Sequence, residues 1–177
     1  ICHVRVPRHA YGDYRHAATA WGLAVSQAPA AESAVAESSP YLSWACDPSS
    51  PLGDTHFGLA DWADRCAKGR AIGVMDRAYE PLRLEGESDL PLDALDAVWQ
   101  LFSPNKALGL TGVRAAYAVA PVRSAADVQA LDSLCPSWPL GAHGVALLQA
   151  WCDPAAQAWL AGPRDTLRGW KRAPQRL

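Results

Sequence analysis

Apolar positions along this chain come in short runs, closed by polar turn-formers, and alternate with stretches of helical spacing. Val4 to Pro7 predicts a short strand. Tyr11-Gly12-Asp13 predicts a turn and helix cap, Tyr14 to Trp21 a helix stopped by Gly22, and Leu23 to Val25 a second strand-like run. Residues 26–40 are rich in Ala, Ser, Glu and Pro and predict a polar connection. Tyr41 to Cys46 predicts a buried strand closed by the turn-rich Asp47-Pro48-Ser49-Ser50-Pro51. Leu59, Trp62, Ala63 and Cys66 then fall on one helical face, ended by Lys68-Gly69, and Ala71 to Met75 predicts the next strand. Strand, helix and strand with a short return is a βαβ unit, so these two strands should be parallel with a right-handed crossover.

The same reading extends to the end of the chain. Asp76 to Leu95 predicts irregular structure with one helical turn at Leu92 to Leu95, and Ala97 to Phe102 another buried strand. Ser103 to Gly112 predicts a loop, too short for a comfortable helical crossover, so the strand over Arg114 to Ala120 is open to an antiparallel placement. Ser124 with Asp127 predicts a capping box for a helix whose Val128, Leu131 and Cys135 share a face. Val145 to Trp151 and Ala155 to Trp170 predict two more helices around Cys152-Asp153-Pro154. The class is α/β, a mostly parallel central sheet with helices on both faces and room for one antiparallel strand.

Composition narrows the function. With 177 residues, half of them hydrophobic, the chain can bury a core without staples. A net charge of -2 supplies no basic field for nucleic acid, and no apolar run is long enough to span a membrane. Five cysteines, an odd number with no C-x-x-C pair, and five histidines with no H-x-x-x-H spacing predict neither a disulfide framework nor a metal centre. A reducing cytosol is the expected compartment. The chain opens Ile1-Cys2-His3-Val4 and its one methionine is Met75, so processing or membership of a longer polypeptide is expected.

In open parallel sheets, ligands bind beyond the carboxyl ends of the strands. Three predicted strands end there in polar residues, and together with Arg114 they would gather Ser50, Asp76, Tyr79, Ser103, Asn105, Lys106 and Arg114 on one edge. Asp76 follows a run that should be buried, where an unpaired carboxylate is costly. Lys106 is one of only three lysines; Lys68 suits a helix C-terminus and Lys171 lies near the end of the chain.

Ser103-Pro104-Asn105-Lys106-Ala107-Leu108-Gly109-Leu110-Thr111-Gly112-Val113-Arg114 resembles the lysine segment of fold-type I aminotransferases, in which a small polar residue and Ser precede Lys and Gly-Leu-x-Gly-x-Arg follows. Asp76-Arg77-Ala78-Tyr79 resembles that family's Asp-Glu-Ala-Tyr, Asp47-Pro48-Ser49-Ser50-Pro51-Leu52-Gly53 its Asn-Pro-x-Asn-Pro-x-Gly turn, and His9-Ala10-Tyr11-Gly12-Asp13-Tyr14 its Pro-x-Tyr-x-x-Tyr segment. The branch most similar contains histidinol-phosphate aminotransferases and the threonine-phosphate decarboxylases of cobalamin synthesis.

The resemblance implies pyridoxal phosphate as cofactor. Lys106 would bond it covalently and shuttle protons, Asp76 would keep its ring nitrogen protonated, and Tyr79 would bond its phenolic oxygen. Arg114, with Ser103 and Asn105, would hold the phosphate, and Tyr11 would stack on the ring. Ser50 stands where the family has an asparagine that bonds the phenolic oxygen, Asn105 replaces a serine, and Arg77 replaces a glutamate.

Residues 1–172 would be part of a cofactor-binding large domain and residues 173–177 a frayed tail. The family's glycine-rich phosphate loop would precede Ile1, and its substrate-binding arginine would follow Leu177. An amino donor, a keto-acid acceptor and a homodimeric partner are implied, with no nucleic acid and no membrane. Three readings stay open: an aminotransferase acting on an amino acid or amino-acid-derived phosphate, a decarboxylase of a phosphorylated amino acid, and a non-catalytic remnant.

Overall fold

The computed structural model describes residues 1–28, 40–88 and 90–173. Six strands form one sheet: β1 (His3–Pro7), β2 (Ala24–Ala28), β3 (Tyr41–Cys46), β4 (Ala71–Asp76), β5 (Trp99–Phe102) and β6 (Tyr117–Val119), in the spatial order β2-β1-β3-β4-β5-β6. Every neighbouring pair is parallel except β5 with β6, which is antiparallel with Phe102 opposite Tyr117. The helices are α1 (Gly12–Ala20), α2 (Leu59–Ala67), α3 (Leu92–Leu95), α4 (Ala125–Leu134), α5 (Ala142–Trp151) and α6 (Pro154–Arg172).

Strand alternation explains why helices cover both faces. Tyr41 and Ala45 of β3 and Ala71 and Met75 of β4 pack with Leu59, Trp62, Ala63 and Cys66 of α2. The Trp62 indole also donates to Ser43 Oγ at 3.0 Å, so a buried hydroxyl and a buried N–H satisfy each other. The intervening Leu42 and Trp44 point the other way, against Tyr14 and Ala18 of α1 and Val4 and Val6 of β1. The four α2 positions expected on one apolar face are all buried, and burying side chains of that kind stabilises by about 1.5–3 kcal/mol for the largest of them. Gly69, with φ +70°, turns the chain out of α2 and into β4.

Several local expectations are corrected. α1 runs from Gly12 to Ala20 with Tyr11 as its cap, rather than from Tyr14 to Trp21. β2 runs on through Ser26, Gln27 and Ala28, into what read as polar connection, because all five of its residues are in register with β1. The rest of that connection, residues 29–39, and residues 174–177 of the expected tail lie outside the described residues. β5 begins at Trp99 and β6 at Tyr117, which leaves Arg114 in the loop before its strand. Ser124 stands at the cap of α4 without a capping box: its hydroxyl donates backwards to the Pro121 carbonyl at 2.7 Å. The α4 face of Val128, Leu131 and Cys135 is exposed. α6 is held to the segment after β4 by arginines, Arg168 donating to the Leu84 carbonyl at 2.9 Å and Arg164 to that of Arg83 at 3.3 Å.

Candidate active site

The parallel strands bring their carboxyl ends to one edge, and the antiparallel β6 brings its beginning there. Cys46 of β3 is in register with Asp76 of β4, which is in register with Leu101 of β5. The loops leaving β3, β4 and β5 carry Ser50, Tyr79 and Lys106, and Arg114 precedes β6, so the topology places these residues on a common rim.

Asp76 is the best defined of them. By alternation it shares the α1 side of the sheet with Trp44 and Cys46. Its Oδ1 accepts from the Ala78 backbone N–H at 2.9 Å, and its Oδ2 accepts from the Tyr14 hydroxyl. Tyr14 is buried, stacked on Trp44 with ring centroids 4.2 Å apart and an interplanar angle of 10°. Burial first, then the Asp76 charge, raises the Tyr14 phenol well above its ordinary range, so it stays a donor. Burial likewise pushes the neighbouring Cys46 thiol up to about 11, with the Asp76 charge adding to it.

Lys106 donates to Ser103 Oγ at 3.0 Å, and the Ser103 hydroxyl donates in turn to Asn105 Oδ1 at 2.8 Å. Asn105 is almost fully buried, which anchors the start of this chain of bonds. Tyr11 is half exposed at the same rim, edge-on to Tyr14 at 5.9 Å. Its phenol is raised chiefly by a hydrogen bond to Asp13, with Arg114 opposing and Asp76 adding, so acid and guanidinium both act on this ring.

Ser50 and Tyr79 line one cleft of about 600 Å³, shared with Leu82, Arg83 and Lys171. Arg114 lines a different hollow of about 460 Å³, with Gly112, Gly141 and His143. Ser50 and Tyr79 thus line one hollow on this edge and Arg114 another.

Among the described residues, no cation lies within salt-bridge distance of Asp76, and no carboxylate lies within that distance of Lys106 or Arg114. An acid, an amine and a guanidinium are thus left without opposite charges at one edge. A carboxylate accepts about four hydrogen bonds, and Asp76 receives two, so it retains acceptor capacity. These residues fit pyridoxal phosphate, which carries a protonatable ring nitrogen, an aldehyde and a phosphate. No group of three metal-ligating side chains and no helix long and apolar enough to cross a membrane occurs among the described residues.

Sequence reasoning missed two features. Tyr14 read as a plain helical residue, although it is the second tyrosine of the segment containing Tyr11. Asp47, fully buried, pairs with Arg83 at 2.7 Å and also accepts from the His56 backbone N–H at 3.3 Å. Asp47 read as part of a turn, and the 36 residues separating it from Arg83 left no local signal.

No family model matches the sequence, and no curated protein matches it. Solved structures do. The chain superposes on a PLP-bound protein from Clostridium difficile 630 described as an aminotransferase, with a TM-score of 0.74 and 14% identity over 94% of this chain and 48% of that one. A protein from Erwinia carotovora assigned as a histidinol-phosphate aminotransferase gives 0.70 and 22%, over 94% and 52%. The L-threonine-O-3-phosphate decarboxylase of Porphyromonas gingivalis gives 0.66 and 19%, over 97% and 51%. The fold is thus that of the PLP-dependent aminotransferase structures, as the sequence resemblance implied. The chain spans about half the length of the solved structures it matches.

Proposed function

We propose that this chain carries the cofactor-binding part of a pyridoxal-phosphate-dependent aminotransferase acting on an amino acid or an amino-acid-derived phosphate. Residues 1–172 would belong to its large domain, and a second copy would complete the working enzyme. The observation supporting this most strongly is the set of unpaired charges, Asp76, Lys106 and Arg114, on one sheet edge.

In this reading, bound pyridoxal phosphate supplies an electron sink conjugated to the substrate's Cα. Asp76 would accept a hydrogen bond from the ring nitrogen's N–H and keep that nitrogen cationic. Lys106 would hold the cofactor and supply the amine that takes up and returns the proton at the substrate's Cα. Ser103, which accepts a hydrogen bond from Lys106, would steady that amine. Arg114 would hold the phosphate with its forked donors, helped by Ser103 and Asn105. Tyr79 and Ser50 would offer hydroxyls to the cofactor's phenolic oxygen, and Tyr11 would offer its ring an aromatic face.

The test supplies the chain with pyridoxal phosphate, an amino donor and a keto acid, and quantifies the new amino acid and keto acid together with any carbon dioxide. Paired amino- and keto-acid products, abolished in Lys106→Ala, support the proposal. Carbon dioxide without a keto acid points to the decarboxylase, and no product from either reaction points to a remnant.

A further inference from the structure

Two turns on the sheet edge carry hydroxyls, and each is closed by its own backbone. In the turn after β3, which carries Ser50, the Ser49 N–H donates to the Asp54 carbonyl at 2.7 Å and the Gly53 N–H to the Ser49 carbonyl at 2.8 Å. In the turn after β4, which carries Tyr79, the Leu82 N–H donates to the Tyr79 carbonyl at 2.9 Å. The two are tied across the edge by Arg83, at the far end of the second turn, donating at 2.7 Å to Asp47, buried at the root of the first. Glu80 orients the other side of that guanidinium, accepting from its Nε at 3.1 Å and its Nη2 at 2.8 Å. Among the described residues, no other side-chain hydrogen bond or ion pair joins the two turns. Ser50, Tyr79 and Arg83 all line the same hollow of about 600 Å³. A serine hydroxyl is a single bond from Cβ, so the backbone carries it and its turn sets how far it reaches.

We propose that Asp47 and Arg83 are positioning residues, a clamp that fixes the spacing at which the Ser50 and Tyr79 hydroxyls both reach the phenolic oxygen of pyridoxal phosphate. The proposal rests on the cofactor reading above, and adds to it two residues that touch neither cofactor nor substrate. For stability alone, well-packed apolar side chains serve as well as a buried ion pair. What the ion pair adds is direction, because a forked donor holds its carboxylate in one geometry. A purely structural pair would affect any ligand of this shape equally, whereas the clamp is felt only by a ring that carries the oxygen.

The experiment measures equilibrium binding of two probes, pyridoxal phosphate and its analogue with hydrogen in place of the phenolic hydroxyl, to wild type and Arg83→Lys, with folding followed by circular dichroism. Lysine keeps a positive charge beside Asp47 but lacks the fork that spans Asp47 and Glu80. The expected result is a hold on pyridoxal phosphate weakened about fivefold, the size of one lost hydrogen bond, and a change of less than about twofold for the analogue. Equal losses for both probes, a loss for the analogue alone, or no loss for either overturn the proposal. Wild type binding both probes equally tightly also overturns it, because the two hydroxyls then do not meet that oxygen. Wild type binding neither probe overturns the cofactor reading itself, and is recognisable because the variant plays no part in it. Asp47→Asn/Arg83→Met provides a second route should Arg83→Lys fail to fold. It removes the clamp without stranding a charge and should show the same selective loss; an equal change for both probes again overturns the proposal.

Discussion

Replacing Arg83 by methionine should be among the most damaging single changes in the molecule. Asp47 is fully buried, and the Arg83 side chain is only 11% exposed where the two meet at 2.7 Å. Arg83 also bonds Glu80 at 2.8 Å, but Glu80 is 23% exposed and can turn to water. Asp47 has no such escape. Without the guanidinium it keeps, among the described residues, only the His56 backbone N–H at 3.3 Å as a side-chain hydrogen bond, a poor return for a desolvated charge. Exposed ion pairs contribute about 0–1 kcal/mol, whereas stranding one partner of a buried pair costs about 3–5 kcal/mol. The second figure applies, because the cost is set by the carboxylate left behind. Urea unfolding of Arg83→Met at neutral pH should therefore show a loss of about 3–5 kcal/mol. The double variant Arg83→Met/Asp47→Asn should recover about half or more of it, since a neutral amide is far cheaper to bury. A loss below about 1 kcal/mol, or no coupling between the two positions in a double-mutant cycle, would refute the reasoning.

Two further perturbations probe the core under α2. A Cβ on Gly73 would stand 2.6 Å from Cys66 Sγ, 2.8 Å from Val98 Cγ1 and 3.1 Å from Trp62 Cζ2, so Gly73→Ala should cost about 1–3 kcal/mol by overpacking. An unchanged thermal midpoint would contradict that packing. Burial raises the Cys66 thiol from 9.0 to about 12. Between those values the unfolded chain has released a proton that the folded one keeps, so stability falls as pH rises above about 9 and is unaffected by this thiol below it. Cys66→Ala should flatten that alkaline decline in urea midpoints measured at pH 8 to 11, and a decline as steep as wild type would exclude the thiol as its source.

Much of the fold is legible because it is locally over-determined. Tyr41–Cys46, the α2 face and Ala71–Met75 combine an unbroken apolar run, a helical period and turn-formers at the joints, and all appear where the pattern puts them, β4 running one residue further to Asp76. The common edge for Asp76, Lys106 and Arg114 follows from parallel topology plus one antiparallel strand, and needs no knowledge of side-chain contacts. What escaped depends on partners. Ser26 and Gln27 are polar and have no strand signature; they are extended because β1 offers a full register of hydrogen bonds. Val128 and Leu131 have helical spacing, but periodicity cannot say whether the face they form will be covered. Tyr14 and Arg83 act on carboxylates 62 and 36 residues away, a relation that only the folded sheet creates.

Lys106 is the amine proposed to take up the cofactor, and a chain with three lysines makes this directly measurable. Mixing the chain with pyridoxal phosphate, reducing with borohydride and mapping the adduct by peptide mass spectrometry compares three lysines in one experiment: Lys68, paired with Asp64 at 2.7 Å, Lys171, 3.7 Å from Glu85, and Lys106. The expected result is an adduct confined to the Lys106 peptide at low cofactor excess, and none there in Lys106→Ala. Label spread over Lys68 and Lys171 with Lys106 bare would contradict it.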